Sequence, residues 1–487
     1  MWHIMFSSSK ARYRAGPTLL VFIFISIGVW IIYPSSVVGR VPSGLAAVSG
    51  DPASDAVRTF NELAQYFIDY PLSESQFGEL GSRVKILTDW IQTSEALSGS
   101  ISPNERKSLE KYIQDATLAL FPFIENPSKQ DARNAPLKQL RESYIPKSKG
   151  IVIPTGKGTF RYACHLISNL RDVLSSALPI QVAYAGEDDL PLAYREAIIS
   201  IGANIETLDI TRVLNDTTLN FKIEDGGWAV KSFALLACKF EQAILLDADA
   251  VFLQKPEVIF ESHEGYQETG TLLFHDRLLW QGAFKERHQW WEKEMEHHAI
   301  GETLSKSKVY MEGYAEEGDS GVVVLDKGRL PVLMGLLHIC WQNTLAVRQK
   351  VTYRMGYGDK ESWWFGLALS GVPYTMEGHY GSILGKVDPE KPNSVCSFTI
   401  AHVDEKDKLL WYNGSLLKNK AINKLEFLVP SHWMMDATWD KGAQKKDISC
   451  MRDGTIREVD ESVRKVVETS VENARKIDEK FKDLIEI

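Results

Sequence analysis

Between about residues 150 and 246, short β-type runs alternate with helical ones, and nothing else in the chain constrains its fold as tightly. Apolar runs at 151–153, 180–184, 205–208 and 243–246 are separated by stretches of helical period at 162–176, 190–201 and 229–240. That order predicts an α/β domain, a mostly parallel, Rossmann-like sheet with helices on its faces. Ligands of such sheets sit outside the carboxyl ends of the strands, near a reversal of strand order. Polar residues just after a strand are therefore the first candidates for function.

One such place stands out. The buried run QAILL at 242–246 leads straight into Asp247-Ala248-Asp249, after which Val251, Phe252 and Leu253 resume the apolar pattern. Two carboxylates at a strand's carboxyl end, with a small residue between them, offer hard oxygen ligands to Mg²⁺ or Mn²⁺ bridging phosphate oxygens. The alternative is a solvated turn in which one aspartate caps the following segment.

The N-terminal part speaks to location. Residues 17–33 form an almost unbroken apolar run without a charged side chain, preceded by Lys10, Arg12 and Arg14. Its length, about 17 residues, suits a thin membrane of the early secretory route such as the Golgi. The basic flank predicts a cytosolic N-terminus, hence a single-pass type II signal anchor with the rest of the chain lumenal. Bulky residues at 30–33 and Pro34 argue against a cleaved signal peptide. The expected organisation is a cytosolic tail at 1–16, the membrane helix at 17–33, a stem at 34–54, a small helical region at 55–148, the α/β domain at 149–450 and a C-terminal helix at 451–487. A formal net charge of −9 and the lack of a basic tract argue against a nucleic-acid partner. The five cysteines form no CxxC pair, so a zinc site is not expected and disulfide pairing stays open. Asn215-Asp-Thr and Asn413-Gly-Ser are glycosylation sequons.

The run GGWAVKSFALLACKFEQAILLDADAVFLQKPEVIFES resembles the donor-site block of fungal Golgi α-mannosyltransferases of glycosyltransferase family 71. Similar blocks follow in GYQETGTLLFHDRLLW, GDSGVVVLDK, YGDKESWWFGLALSGVPY and AHVDEKDKLLWYNGSLL, so the resemblance covers about residues 150–417. It implies a GT-A fold, a GDP-mannose donor, Mn²⁺ (or Mg²⁺) and transfer with retention to an α-mannoside of a glycoprotein glycan or cell-wall mannan. The linkage it implies first is α-1,3, with α-1,2 behind it. A Golgi mannosyltransferase complex is a candidate partner. Rival readings are a transferase for a UDP-sugar and a non-catalytic glycan-binding subunit.

The resemblance also assigns residues. Asp249 and His402 become metal ligands, with Asp247 reaching the metal or the ribose. Lys231, on the helix before the aspartate strand, and Lys408 would meet the diphosphate or sugar as point charges. His402 and Lys408 resemble the C-terminal histidine and lysine of related retaining enzymes, although Glu405 stands where many of those have glycine. Asp319, Ser320 and Gly321, at the start of the run 322–325, would face the donor sugar, and Asp359 and Glu361 would lie near its anomeric carbon as the catalytic pair. His275-Asp276-Arg277 reads equally as a substrate contact or an internal ion pair. Trp363 or Trp411 would be the tryptophan at a sugar. Gly156-Lys157-Gly158 lacks the frame of a Walker loop and is expected as the first loop over the nucleotide, with Arg161 nearby.

Overall fold

A computed structural model describes residues 52–485 apart from 98, 100, 126–134, 216–218, 222–225 and 445. The expected tail and membrane helix, and nearly all of the stem, lie outside the described residues. Among the described residues no single helix is long and apolar enough to cross a membrane.

Six strands form the central sheet: β1 (Ile145–Pro154), β2 (Ile180–Tyr184), β3 (Ile205–Asp209), β4 (Phe240–Leu246), β6 (Thr271–His275) and β7 (Gly318–Asp326); β5 (Ala250–Phe252) lies outside it. Their order is β3-β2-β1-β4-β7-β6. The first four are mutually parallel, as the alternation predicts, whereas β7 runs antiparallel to both β4 and β6. Residues alternate between two buried faces. Val152, Ala243, Leu245, Val323 and Leu325 point to one core, and Ile151, Ile153, Ile244, Leu246, Val322 and Val324 to the other. Burial on both sides explains why these strands read as continuous apolar runs. β1 starts earlier than its apolar stretch suggests, because Pro146, Lys147, Ser148 and Lys149 are polar or irregular and Lys147 takes a φ of 59°.

The N-terminal helices Pro52–Asp69, Phe77–Leu97, Pro103–Leu120 and Pro136–Glu142 follow from apolar spacing of three and four residues. Ser102 caps the third in a reciprocal capping box with Glu105. Phe60 and Phe67 stack on Trp90, and Phe77 inserts between Trp290, Trp341 and Phe365. The helical region thus shares one continuous core with the first face of the sheet. The helix Glu461–Lys480 covers the other side through Val467, Val471, Ala474 and Ile477.

Beyond residue 380 the chain adds a second, antiparallel six-stranded sheet. Its paired strands Lys391–Ser397 and Ser449–Arg452 carry the disulfide Cys396–Cys450, while Cys164, Cys238 and Cys340 are free and buried. A three-stranded sheet of Ile400–Val403, Leu409–Asn413 and β5 closes over the end of β4.

Candidate active site

Strand order reverses between β1 and β4, and a cleft of about 740 Å³ opens at their carboxyl ends. Thr155 to Thr159 after β1, Asp188 and Asp189 after β2, and Asp247 to Asp249 after β4 line it. The Ala250 N–H donates to the Asp247 carbonyl, so the two aspartates sit on a closed turn. β7, being antiparallel, brings its first residues to the same edge, where the Asp247 N–H donates to the Gly321 carbonyl at 2.8 Å.

The helix Gly226–Ala237 delivers Lys231 into this edge. Its ammonium lies 2.9 Å from Asp247 Oδ1, 3.2 Å from Asp359 Oδ2 and 2.7 Å from Ser320 Oγ. Burial alone would favour the neutral amine, but Asp247 and Asp359 outweigh it and raise the lysine above its ordinary range. Burial and the neighbouring Asp359 in turn push the Asp247 carboxyl up, against the pull of Lys231. One ammonium serves two carboxylates. The excess negative charge, with hard oxygens facing a cleft, is what a divalent cation would neutralise. Asp249 differs: its carboxylate is paired with Lys420, an ammonium that a divalent ion there would displace. Ser415 N–H holds the Asp249 carbonyl at 2.8 Å and fixes the turn. The donor set fits Mn²⁺ or Mg²⁺.

Several sequence-predicted residues fall elsewhere. Asp319 is buried out of the cleft, accepting from His402 Nε2 at 3.1 Å, Asn413 Nδ2 at 3.1 Å and Gly321 N at 2.9 Å. Burial opposes its charge, but His402, Lys360 and the Gly321 N–H hold the carboxyl well below its usual range. His402 is sandwiched against Trp411, ring centroids 4.2 Å apart, with Phe274 edge-on, and its Nδ1 has no partner. Among the described residues it does not converge with Asp247 and Asp249, where the sequence reading put it. The reason is the pairing of its strand with Leu409–Asn413, which turns the ring toward β7. Lys408 is exposed in the hairpin between those strands and does not line the cleft. Glu361 also turns away. It accepts from the Glu317 N–H and Trp364 Nε1, and burial raises its carboxyl to about 8 despite Arg287.

Other placements are as plain. Asp276 forms an internal cluster with Arg277 and Lys360. Arg161 pairs with Asp478 of the C-terminal helix, leaving the Gly156-Lys157-Gly158 loop in the cleft without it. Trp363 and Trp411 are core residues; among the described residues the exposed tryptophans are Trp228 and Trp280. The Asn413 amide donates to Asp319 at the cleft wall, and the Asn215 sequon runs outside the described residues.

The sequence reading missed Asn413, Lys420 and Lys360, all on the cleft wall. Lys360 adjoined a residue already singled out and Asn413 was read as a sequon. Lys420 carries no signal until the chain's return past β5 is known. Gly321 is required by geometry: a Cβ there would sit 2.8 Å from Asn413 Nδ2 and 2.9 Å from the Trp411 ring.

Residues 148–404 match the family described as "Mannosyltransferase putative". The chain belongs to this family. Among curated proteins, this family member is 26% identical over 363 residues to the alpha-1,3-mannosyltransferase MNT3 of Saccharomyces cerevisiae, covering 65% of this chain and 56% of that one. It is 26% identical over 304 residues to the alpha-1,3-mannosyltransferase MNT2 of the same yeast, covering 55% and 52%. A shorter match, 29% over 143 residues, covers 29% of this chain and 23% of the alpha-1,2-mannosyltransferase MNN2 of Candida albicans. The chain spans about half the length of the two yeast relatives. Among solved structures, the mannosyltransferase Ktr4p of S. cerevisiae aligns at 12% identity with a TM-score of 0.31, over 66% of this chain and 84% of that one.

Proposed function

We propose that this protein is a retaining, metal-dependent glycosyltransferase of GT-A type that moves mannose from GDP-mannose to an α-mannoside, in α-1,3 linkage. Family membership and the names of the two yeast relatives, both alpha-1,3-mannosyltransferases, support the sugar and the linkage. The observation that carries the reading is Lys231 shared by Asp247 and Asp359 in the cleft at the β1–β4 switch point. Residues 17–33 support a type II anchor in a Golgi membrane, with this domain lumenal.

Asp249 and Asp247 would hold the divalent ion. When bound, such an ion neutralises charge developing on the leaving diphosphate. The chain's own cations do part of the same work. Lys420 and Lys360 stand on the cleft wall where they attract an anionic donor, and Lys231 orients Asp247, Asp359 and Ser320 toward one another. Lys231 keeps its proton in this setting and acts as a fixed positive charge rather than as a base. Asp359 is the carboxylate available to the donor sugar, its position fixed by Trp363 Nε1 at 2.8 Å. Removing one such electrostatic partner typically costs about 10²- to 10³-fold in rate.

Protection of the purified protein from thermal unfolding by GDP and by UDP, each with Mn²⁺, tests the donor. GDP should protect more. Stronger protection by UDP would overturn the mannose assignment, and linkage analysis of the product on methyl α-mannoside separates α-1,3 from α-1,2.

A further inference from the structure

A second cleft of about 930 Å³ opens beside the first, and Tyr162, Tyr357, Lys360 and Lys420 line both. If the first holds the donor, as proposed above, the second is where an acceptor comes within reach of the donor sugar. Its wall is basic, in a chain whose formal net charge is −9. Beyond the two shared lysines, Arg277, Arg287, Arg354 and Lys441 face Glu316 and Asp447 among the described lining residues.

Lys420 has its own partner in Asp249, but the other cations are not neutralised one by one. Buried Asp276 is divided between Arg277 and Lys360. Arg287 donates to the Ala315 and Met355 carbonyls. Lys441 lies 4.5 Å from the centroid of the Trp280 ring, and neither it nor Arg354 has an ion-pair partner among the described residues. A cleft lined by one sign of charge concentrates ligands of the other. A neutral mannoside needs only hydrogen-bond partners and would leave this excess unanswered.

Trp280 supplies an independent pointer. It is 49% exposed and holds a φ of 47°, a left-handed conformation that bulky residues rarely adopt. The indole lines the cleft with Lys441 over one face, and an aromatic face left open suits the apolar face of a sugar ring. We propose that the second cleft binds an acceptor glycan bearing an anionic group, a phosphate ester or a carboxylate. Trp280 lies against a sugar ring of that glycan, and Arg277, Arg354 and Lys441 meet the anion.

Three probes that share one ring test this: methyl α-mannoside, its 6-phosphate, and the corresponding 6-carboxylate. Their binding to the full protein is measured by calorimetry without donor, and GDP with Mn²⁺ is measured in parallel as a control on the donor reading. At least one anionic probe should bind about 10-fold or more tightly than the neutral one at low salt, with the preference shrinking as salt is added. Whichever anion wins identifies the group. Lys441→Gln and Arg354→Gln, both at exposed positions, should remove most of that preference without changing protection by GDP. Equal or weaker binding of both anionic probes, or a preference indifferent to these substitutions, overturns the proposal even if GDP binds. If GDP fails to bind while the anionic preference holds, the donor reading falls and the anion site stands.

Discussion

Asp319 and Ser320 are neighbours on β7, yet they belong to different assemblies. Ser320 accepts from Lys231 and faces the cleft with Asp247 and Asp359. Asp319 points away into a closed cluster with His402 and Asn413. Asp359 and Glu361 repeat the split at a helix start, the first on the cleft wall and the second against Trp364 and Glu317. The open assembly has more negative than positive charge and can take up a cation. The closed one meets its carboxylate with internal donors, leaving His402 Nδ1 without a partner among the described residues. Residues that sit together in a motif therefore differ in role according to which side the strand or helix turns them.

The largest effect should come from the open side. Lys231→Ala leaves buried Asp359 and partly exposed Asp247 without their cation. Transfer should fall by about 10³-fold or more, with about 3–5 kcal/mol lost in stability, read from initial rates and thermal unfolding. A rate within tenfold of wild type would break the distinction. Asp359→Asn should cost about 10²- to 10³-fold with the fold intact, whereas Glu361→Gln should leave the rate within about twofold; steady-state kinetics of the two side by side would expose an error in either assignment.

On the closed side, His402→Ala strips Asp319 of a charge-assisted bond and should lower stability by about 3 kcal/mol in denaturant titrations. The discriminating readout is the Mn²⁺ dependence of the rate. If His402→Ala shifts that dependence strongly while stability hardly changes, the histidine acts at the metal after all.

The effect that is smallest at each step concerns pH. Burial pushes the Glu361 carboxyl up to about 8 in the folded chain, from its ordinary 4.5. The folded chain therefore binds a proton that the unfolded chain lacks between those values. The contribution is fully present below the unfolded value and is lost as pH rises through the folded one. This single group predicts a loss of up to about 1.4 kcal/mol per pH unit across that window. Glu361→Gln, which keeps an acceptor for Trp364, should flatten that slope in unfolding curves between about pH 5 and 8. An unchanged slope would mean the burial is less complete than the structure has it.

Much of this was legible in the sequence. The β–α alternation specified the four parallel strands, and the apolar run into Asp247-Ala-Asp249 located the cleft, because burial on both sides of a strand leaves a continuous hydrophobic trace. Lys231 was legible too, one helix ahead of that strand. What could not be read was direction. The period of a strand assigns Asp319 and Ser320 to opposite sides but not which side holds the cleft, and β7 looks the same in sequence whether parallel or antiparallel. Asn413 and Lys420 reach the site through a three-stranded sheet formed across more than 150 residues, and no local pattern announces that pairing. His402 and Lys408 were placed by resemblance, and pairing of their hairpin carries one into the closed cluster and the other to the surface.

The most direct test is the rate of mannose transfer from GDP-mannose to methyl α-mannoside with Mn²⁺, compared between the wild-type protein and Asp249→Ala. The account predicts transfer by the wild type and a loss of at least about 10²-fold in a variant that still unfolds cooperatively. An equal rate in the folded variant would contradict it.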